Sequence, residues 1–261
     1  MKFFYDNKID SATLSAITED SDFPLMNIQD AIPSKVYKTT GIEDIEIVTF
    51  DFGTAKSVNS VIIYNHTFDG TETLLKLEGS NNSAFLNSVG LGGNKCYAFT
   101  LNVADTIYER LQMLGNDYTY SLRYWRIYCQ KGSATEIKQI GKVFLGVDLG
   151  SATPDWNGYS YSIVDPSVSS KSIGGQTYTE QKDQFRNFEL GFSYQTNAVK
   201  EELETMFETV GTFKPVFFQV AETSPLDEMV YGKITDSQSF KVSVGSENPA
   251  WDMAIKIEEL I

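Results

Sequence analysis

One histidine and two cysteines are all that the 261 residues hold of the two commonest metal-binding side chains. A Ser-His-Asp triad or a histidine-based metal centre would have to be built on His66 alone. Cys96 and Cys129 match no zinc or redox spacing and read as two buried, reduced thiols, with a disulfide between them as the alternative. No apolar run approaches the roughly 20 residues that a bilayer-spanning helix needs. The first ten residues lack the unbroken apolar core of a secretory signal, so neither membrane insertion nor export is expected. Positive charge is also scarce: 21 Lys and Arg stand against 35 Asp and Glu, a net charge of −14. The excess of acid runs through both halves of the chain, so no basic module hides behind the average. Nucleic-acid binding, which draws on cations that displace counterions, is not expected.

Catalytic patterns are missing too. There is no glycine-rich phosphate loop, residues 146–150 being glycine-spaced without the fingerprint, and no G-x-S-x-G. Carboxylates are plentiful, but no pair stands out as a glycosidase dyad. Asp20, Asp22 and Asp30, near Asn27, could offer oxygens to calcium, yet they lack an EF-hand spacing and read as solvated loop acids. The expectation is therefore a non-enzyme with no catalytic residue, no metal and no cofactor.

What the chain has in abundance is strand chemistry. Hydrophobic residues make up 41% and aromatics 13%, enough for one or two real cores. Short alternating runs recur between turn residues, as at 45–52, 58–65, 73–79, 124–129, 186–194, 229–234 and 251–257. Residues 104–114 leave helix and strand open. One helix stands out at about 197–210, where Val199, Leu203, Met206, Phe207 and Val210 share a face, Asn197 can cap the start and Gly211 the end. Residues 151–184 are rich in Ser, Gly and Tyr and poor in pattern, which predicts an extended arm or long loop, a flexible hairpin or a functional insertion. Trp156, Tyr159 and Tyr161 in that stretch could stack on sugar rings or anchor a partner, or simply seal a sandwich mouth. His66, closing a strand after Tyr64-Asn65, could contact a sugar or a neighbouring subunit, although a turn-forming role is the simpler reading.

Four elements then occur in a telling order: Asp51-Phe52-Gly53, the strand at 58–64, Leu77-Glu78-Gly79-Ser80-Asn81, and Arg123-Tyr124-Trp125-Arg126-Ile127. Together they resemble the discoidin, or galactose-binding-like, jelly roll over about residues 20–130. Phe23-Pro24-Leu25-Met26-Asn27-Ile28 and Pro33-Ser34-Lys35-Val36-Tyr37 resemble elements that precede this domain in tailed-bacteriophage virion proteins. Tyr64-Asn65-His66-Thr67 is similar to a further element of those proteins, with its Asn and His in reversed order. Residues 140–146 resemble the strand by which the chain leaves that domain. The later layout of strand, helix, Lys214-Pro215-Val216-Phe217-Phe218 and closing strands resembles the β-sandwich of distal tail proteins.

The resemblance implies a mostly β chain. A galactose-binding-like jelly-roll β-sandwich is expected over 1–135, and a second β-sandwich domain carrying one α-helix over 136–261. It further implies a structural component of a phage tail tip or baseplate, located in the virion and made in the host cytoplasm. This protein would form a homo-oligomeric ring, in expectation a hexamer, among other tail proteins, with 151–184 as an arm over the adjacent subunit. The alternative reading is a carbohydrate-binding module that recognises a host surface glycan.

Overall fold

The computed structural model describes residues 1–85, 96–104, 106–113, 116–133, 135–149, 156–219, 229–244 and 250–261, leaving aside the side chains at 113, 156–158, 243 and 244. The fold is mostly β and divides into two compact units, Asp6–Asp148 and Met1–Tyr5 with Leu149–Ile261.

The unit Asp6–Asp148 is a sandwich of two antiparallel sheets. One has five strands in the order Thr13–Ala16, Ile45–Val58, Tyr120–Gln130, Leu74–Ser80 and Cys96–Thr100. The other has four, in the order Tyr37–Lys38, Gln139–Gly146, Ser60–His66 and Ile107–Arg110. Period-two alternation chooses the inner face: Val48, Phe50 and Phe52 are buried, while Ile47, Thr49 and Asp51 between them are not. Trp125, Ile127 and Leu77 meet Val61, Ile63, Val143 and Leu145 of the other sheet in one core. Gly79 is required by close approach, since a Cβ there would lie 2.8 Å from Leu122 Cδ1 and from Trp125 Cζ3. This is the jelly-roll sandwich that the four elements implied, and residues 104–114 resolve partly into the strand Ile107–Arg110.

The division between units falls after Asp148, not at 135. The strand Gln139–Gly146 pairs with Ser60–His66 and so closes the first sandwich. Sequence order alone groups it with the second half, because its partner strand lies far back in the chain. The N-terminal strand Lys2–Phe4 goes the other way and pairs with Pro215–Gln219 in the second unit.

Of the described strands in that second unit, seven build one antiparallel sheet and two form a separate hairpin. The path of the sheet runs Lys2–Phe4, Pro215–Gln219, Met229–Ile234, Ala250–Glu259, Phe185–Gln195 and Trp156–Val164, with Lys241–Val244 also on Ala250–Glu259. Pro215 sits at a strand end, where its missing N–H does least harm. The helix Asn197–Val210 supplies the facing layer: Val199, Leu203, Met206 and Val210 pack into one core with Phe3, Phe188, Phe192, Phe218 and Ile255. Thr196, and not Asn197, is its N-cap, its side chain accepting from Val199 N–H. Asn197 is the first helical residue and accepts from Trp251 Nε1 at 2.6 Å. Gly211 ends the helix at φ +52°, a conformation that favours glycine. Residues 151–184 include the hairpin that was one of the readings of this stretch, Val168–Lys171 with Thr177–Glu180, and before it the strand Trp156–Val164.

Cys96 and Cys129 are both free thiols. Cys96 pairs with Ser80 and Cys129 with Leu75, at opposite ends of one strand, about 16 Å apart by strand rise and beyond disulfide reach.

The elements that resembled virion proteins prove to be ties within the first unit. Asn27 donates to Val36 O at 2.8 Å, Asn65 donates to Pro33 O at 2.9 Å, and Lys142 donates to Asn27 O at 2.7 Å. Lys142 is buried, and burial pushes its ammonium down to about 8, against the attraction of Asp30 and Asp10. An unfolded lysine keeps its proton to about 10.4, so between these values the unfolded state binds more protons and the group favours folding as pH rises. The Cys129 thiol, held protonated by burial up to about 12, acts in the opposite sense. The difference between wild type and Lys142→Met isolates the lysine. In denaturant titrations that difference is expected to move in favour of the wild type between pH 7 and about 10.

Candidate functional site

His66 ends the strand Ser60–His66, opposite Ile140. Its Nδ1 accepts from Phe68 N–H at 3.2 Å, and its ring lies 5.3 Å from the Phe68 ring. The geometry forms a local turn, with the imidazole half-buried. Trp156, Tyr159 and Tyr161 belong to the other unit and lie on a strand, not in a loop. Tyr159 packs on the core of that unit, Tyr161 is 55% exposed with its ring 5.8 Å from Phe188, and the Trp156 side chain lies outside the described residues. His66 thus belongs to one unit and the three aromatics to one strand of the other.

The loop acids are engaged locally. Asp20 accepts from Asp22 N–H at 2.9 Å, and Asp30 accepts from Ile32 N–H at 2.9 Å and pairs with Lys35 at 2.6 Å. A tighter oxygen cluster was not foreseen: Asp69, Glu72 and Glu136 bring carboxylate oxygens within 4.8 Å of one another. Lys138 fills its centre. Its ammonium contacts Glu72, reaches Glu136 at 2.5 Å and Asp69 at 3.9 Å, and is almost wholly buried. Burial opposes charge on both Lys138 and Glu72, but it is outweighed at the lysine by hydrogen bonds to Glu136 and Glu72, which raise it, and at Glu72 by the hydrogen bond from Lys138, which lowers the carboxyl. A side-chain cation therefore stands where a metal would have to sit. Millimolar calcium is expected to leave the melting temperature of the wild type unchanged and to raise that of Lys138→Ala, in which the three carboxylates lose their cation.

A different feature has the geometry of a binding site. At one end of the five-stranded sheet, Asn81, Tyr97, Tyr118, Thr119, Tyr120 and Leu122 line an open cleft of about 400 Å³. Strand register brings them together. Tyr97 enters on Cys96–Thr100 opposite Gly79, Asn81 follows Leu74–Ser80, and Tyr120 begins the strand on the other side of Leu74–Ser80. The Tyr120 ring lies 4.7 Å from Tyr97 and 4.8 Å from Tyr118, and Phe99 backs it edge-on at 5.1 Å. Tyr120 is buried and donates its hydroxyl to Gln112 O at 2.9 Å, with burial raising its pKa. Tyr118 is 48% exposed and offers a ring to solvent.

The rim is held by the residues that carried the family resemblance. A register shift between Leu122 and Tyr124 sets Arg123 apart from the ladder. Its backbone N–H donates to Asn81 Oδ1 at 3.0 Å, and its guanidinium grips Asp51 through two bonds of 2.7 and 2.9 Å. The hydrogen bond from Arg123 lowers the Asp51 carboxyl and raises the guanidinium. Asp51 also accepts from Gly53 N–H at 2.8 Å, where φ is +73°. None of the cleft's lining residues carries a formal charge.

No family model matches the sequence, and no curated protein matches it. Among solved structures, the lectin domain of lectinolysin, complexed with Lewis B antigen, is similar at 16% identity over 54% of this chain and 95% of that one, with a TM-score of 0.39. A fucose-binding module of Streptococcus pneumoniae is similar at 12% identity over 54% and 95%, with a TM-score of 0.40. A chitosan-binding module from a chitosanase/glucanase of Paenibacillus sp. IK-5 is similar at 12% identity over 54% and 98%, with a TM-score of 0.38. What these proteins bind is a property of theirs, and likeness at this level transfers no ligand.

Proposed function

We propose that the unit Asp6–Asp148 is a glycan-recognition module whose ligand lies in the cleft of Tyr97, Tyr118 and Tyr120. The observation that carries this reading is the convergence of three tyrosine rings on a cleft whose other lining is uncharged. A pyranose has an apolar C–H face and a rim of hydroxyls. The first stacks on an aromatic ring, and the second asks for short hydrogen-bonding side chains such as Asn81, Thr119 and Ser121. The lining holds no carboxylate to serve as an acid or base, so the reading is binding without turnover. It needs no cofactor. Sugar ligands named for the similar structures agree with this reading and do not carry it.

The test is a glycan array followed by titration of the best ligand. Tyr118→Ala, on a half-exposed side chain, is expected to keep the fold and weaken binding about tenfold, near 1.4 kcal/mol. Absence of any glycan signal, or binding indifferent to Tyr118 and Asn81 substitutions, would overturn it.

A second reading concerns the other unit, and one observation favours it. The hairpin Val168–Lys171 with Thr177–Glu180 pairs with no further described strand, and all eight of its strand residues are exposed. Val168 and Tyr178 in the strands and Ile173 at the tip show large apolar side chains to solvent, as do Tyr161 and Ile163 on the edge strand. On this reading the unit joins copies of the chain into a ring, a hexamer by resemblance, as a structural part of a phage tail tip within the virion. The two readings are compatible: a weak glycan site repeated around a ring gains avidity. Negative-stain imaging of the purified chain should show closed rings, and monomers at high concentration would sink this reading.

A further inference from the structure

The second unit holds a groove that neither reading has used. It lies between the last turns of Asn197–Val210 and the segment after Met229–Ile234, with a volume of about 350 Å³. Phe207, Ile234 and Phe240 supply its apolar lining, and the two phenylalanine rings meet edge-on with centroids 6.1 Å apart. Glu204, Glu208 and Asp236 supply its charge.

The groove is negative by construction. Helices gain from cations near their C-terminal end, where the carbonyl dipoles concentrate negative potential. This helix has no basic residue in its last turn and carries Glu208 there instead. Glu204 is matched by Lys200 at 2.5 Å, and Asp236 by Lys256 at 3.3 Å. Glu208 has no ion pair among the described residues. Lys214, just past the helix, has its ammonium 6.0 Å from the Phe213 ring and is not part of the lining. An apolar slot beside an unmatched carboxylate fits an aliphatic side chain followed closely by a cation.

The same chain offers such a pair. Ile173 stands at the tip of the exposed hairpin at 111% relative exposure, two residues from exposed Lys171. The tip is preformed: Ser172 N–H donates to Gln176 O at 2.8 Å, Gly175 N–H donates to Ser172 O at 2.9 Å, and Gly175 adopts φ +83°. Little ordering entropy therefore remains to be lost on docking. A side chain so exposed is not seated in the groove of its own molecule.

We propose that the hairpin tip of one copy docks in this groove of the next, Ile173 packing on the wall made by Phe207 and Phe240 and Lys171 pairing with Glu208. This deepens the assembly reading and rests on it. The contact joins two different surfaces, so it is heterologous and repeats from copy to copy, as a closed ring requires. It also gives the ring its polarity, since each subunit is donor to one neighbour and acceptor from the other.

Sedimentation velocity over a range of concentrations tests it on the full chain. Ile173→Asp, at a fully exposed position, should keep the circular dichroism of the wild type and raise the dissociation constant of self-association at least about tenfold. Lys171→Glu should weaken association as well, and Glu208→Lys in the same chain should restore it. If the wild type assembles and these variants assemble equally well, the docking site is wrong and the assembly reading survives. If the wild type stays monomeric throughout, both fall.

Discussion

The strand Tyr120–Gln130 is the constraint on which the rest of the first unit turns. It lies between Ile45–Val58 and Leu74–Ser80, so its register with both must be satisfied at once. Trp125 fixes that register: it is wholly buried, and only the missing side chain of Gly79 makes room for it. A slip of one residue would turn Trp125, Ile127 and Cys129 out of the core and Arg126 into it. On the outward face, Arg126 pairs with Glu78 at 2.5 Å, so packing and charge select the same alignment. The start of this strand carries Tyr120, Ser121 and Leu122, and the cleft is where it is because Trp125 is where it is.

Charge inside this unit is paired. Glu46, buried on the core face of its strand, accepts from Thr18 at 2.8 Å and faces Lys131 at 3.5 Å. Asp148, the last residue of the unit, accepts from Asn59 at 2.8 Å and meets Arg110 at 2.9 Å. Such pairs often add little net stability compared with apolar residues, but breaking one partner away is costly, about 3–5 kcal/mol. The bond from Asn59 to Asp148 ties the crossover between the sheets to the residue at which the chain leaves the sandwich.

Much of this was legible in the sequence, for identifiable reasons. The jelly-roll motifs could be read because each marks a backbone need: Gly53 a positive φ, Gly79 a close approach, Arg123 and Asp51 a mutual grip across strands. The helix could be read because five apolar residues keep its period and Gly211 ends it. The cleft could not be read, because Tyr97 and Tyr118 lie on different elements and only the register through Gly79 and Tyr120 unites them. The tyrosines that did attract attention, Tyr159 and Tyr161, alternate with serines. That pattern looks like loop in composition and is strand in structure, with Tyr159 inward and Ser160 and Ser162 between. The unit boundary was missed for a similar reason, since pairing of Gln139–Gly146 with a distant strand leaves no local trace.

A net charge of −14 sets the last condition. Copies of such a chain repel at long range, so association has to come from short-range contacts in which sign is locally reversed. Many cations of the described residues are already engaged within the molecule, as Lys138, Arg110, Arg123, Arg126 and Arg186 are by carboxylates. On the proposed docking, a lysine on an exposed, pre-shaped hairpin would be worth more than its single charge suggests, because it would meet Glu208 on an otherwise repulsive surface. The same acidity disfavours anionic ligands, and the uncharged lining of the tyrosine cleft suits the neutral ligand proposed for it. Neutral sugars need no electrostatic steering, and their weak individual contacts gain most from being presented many times over.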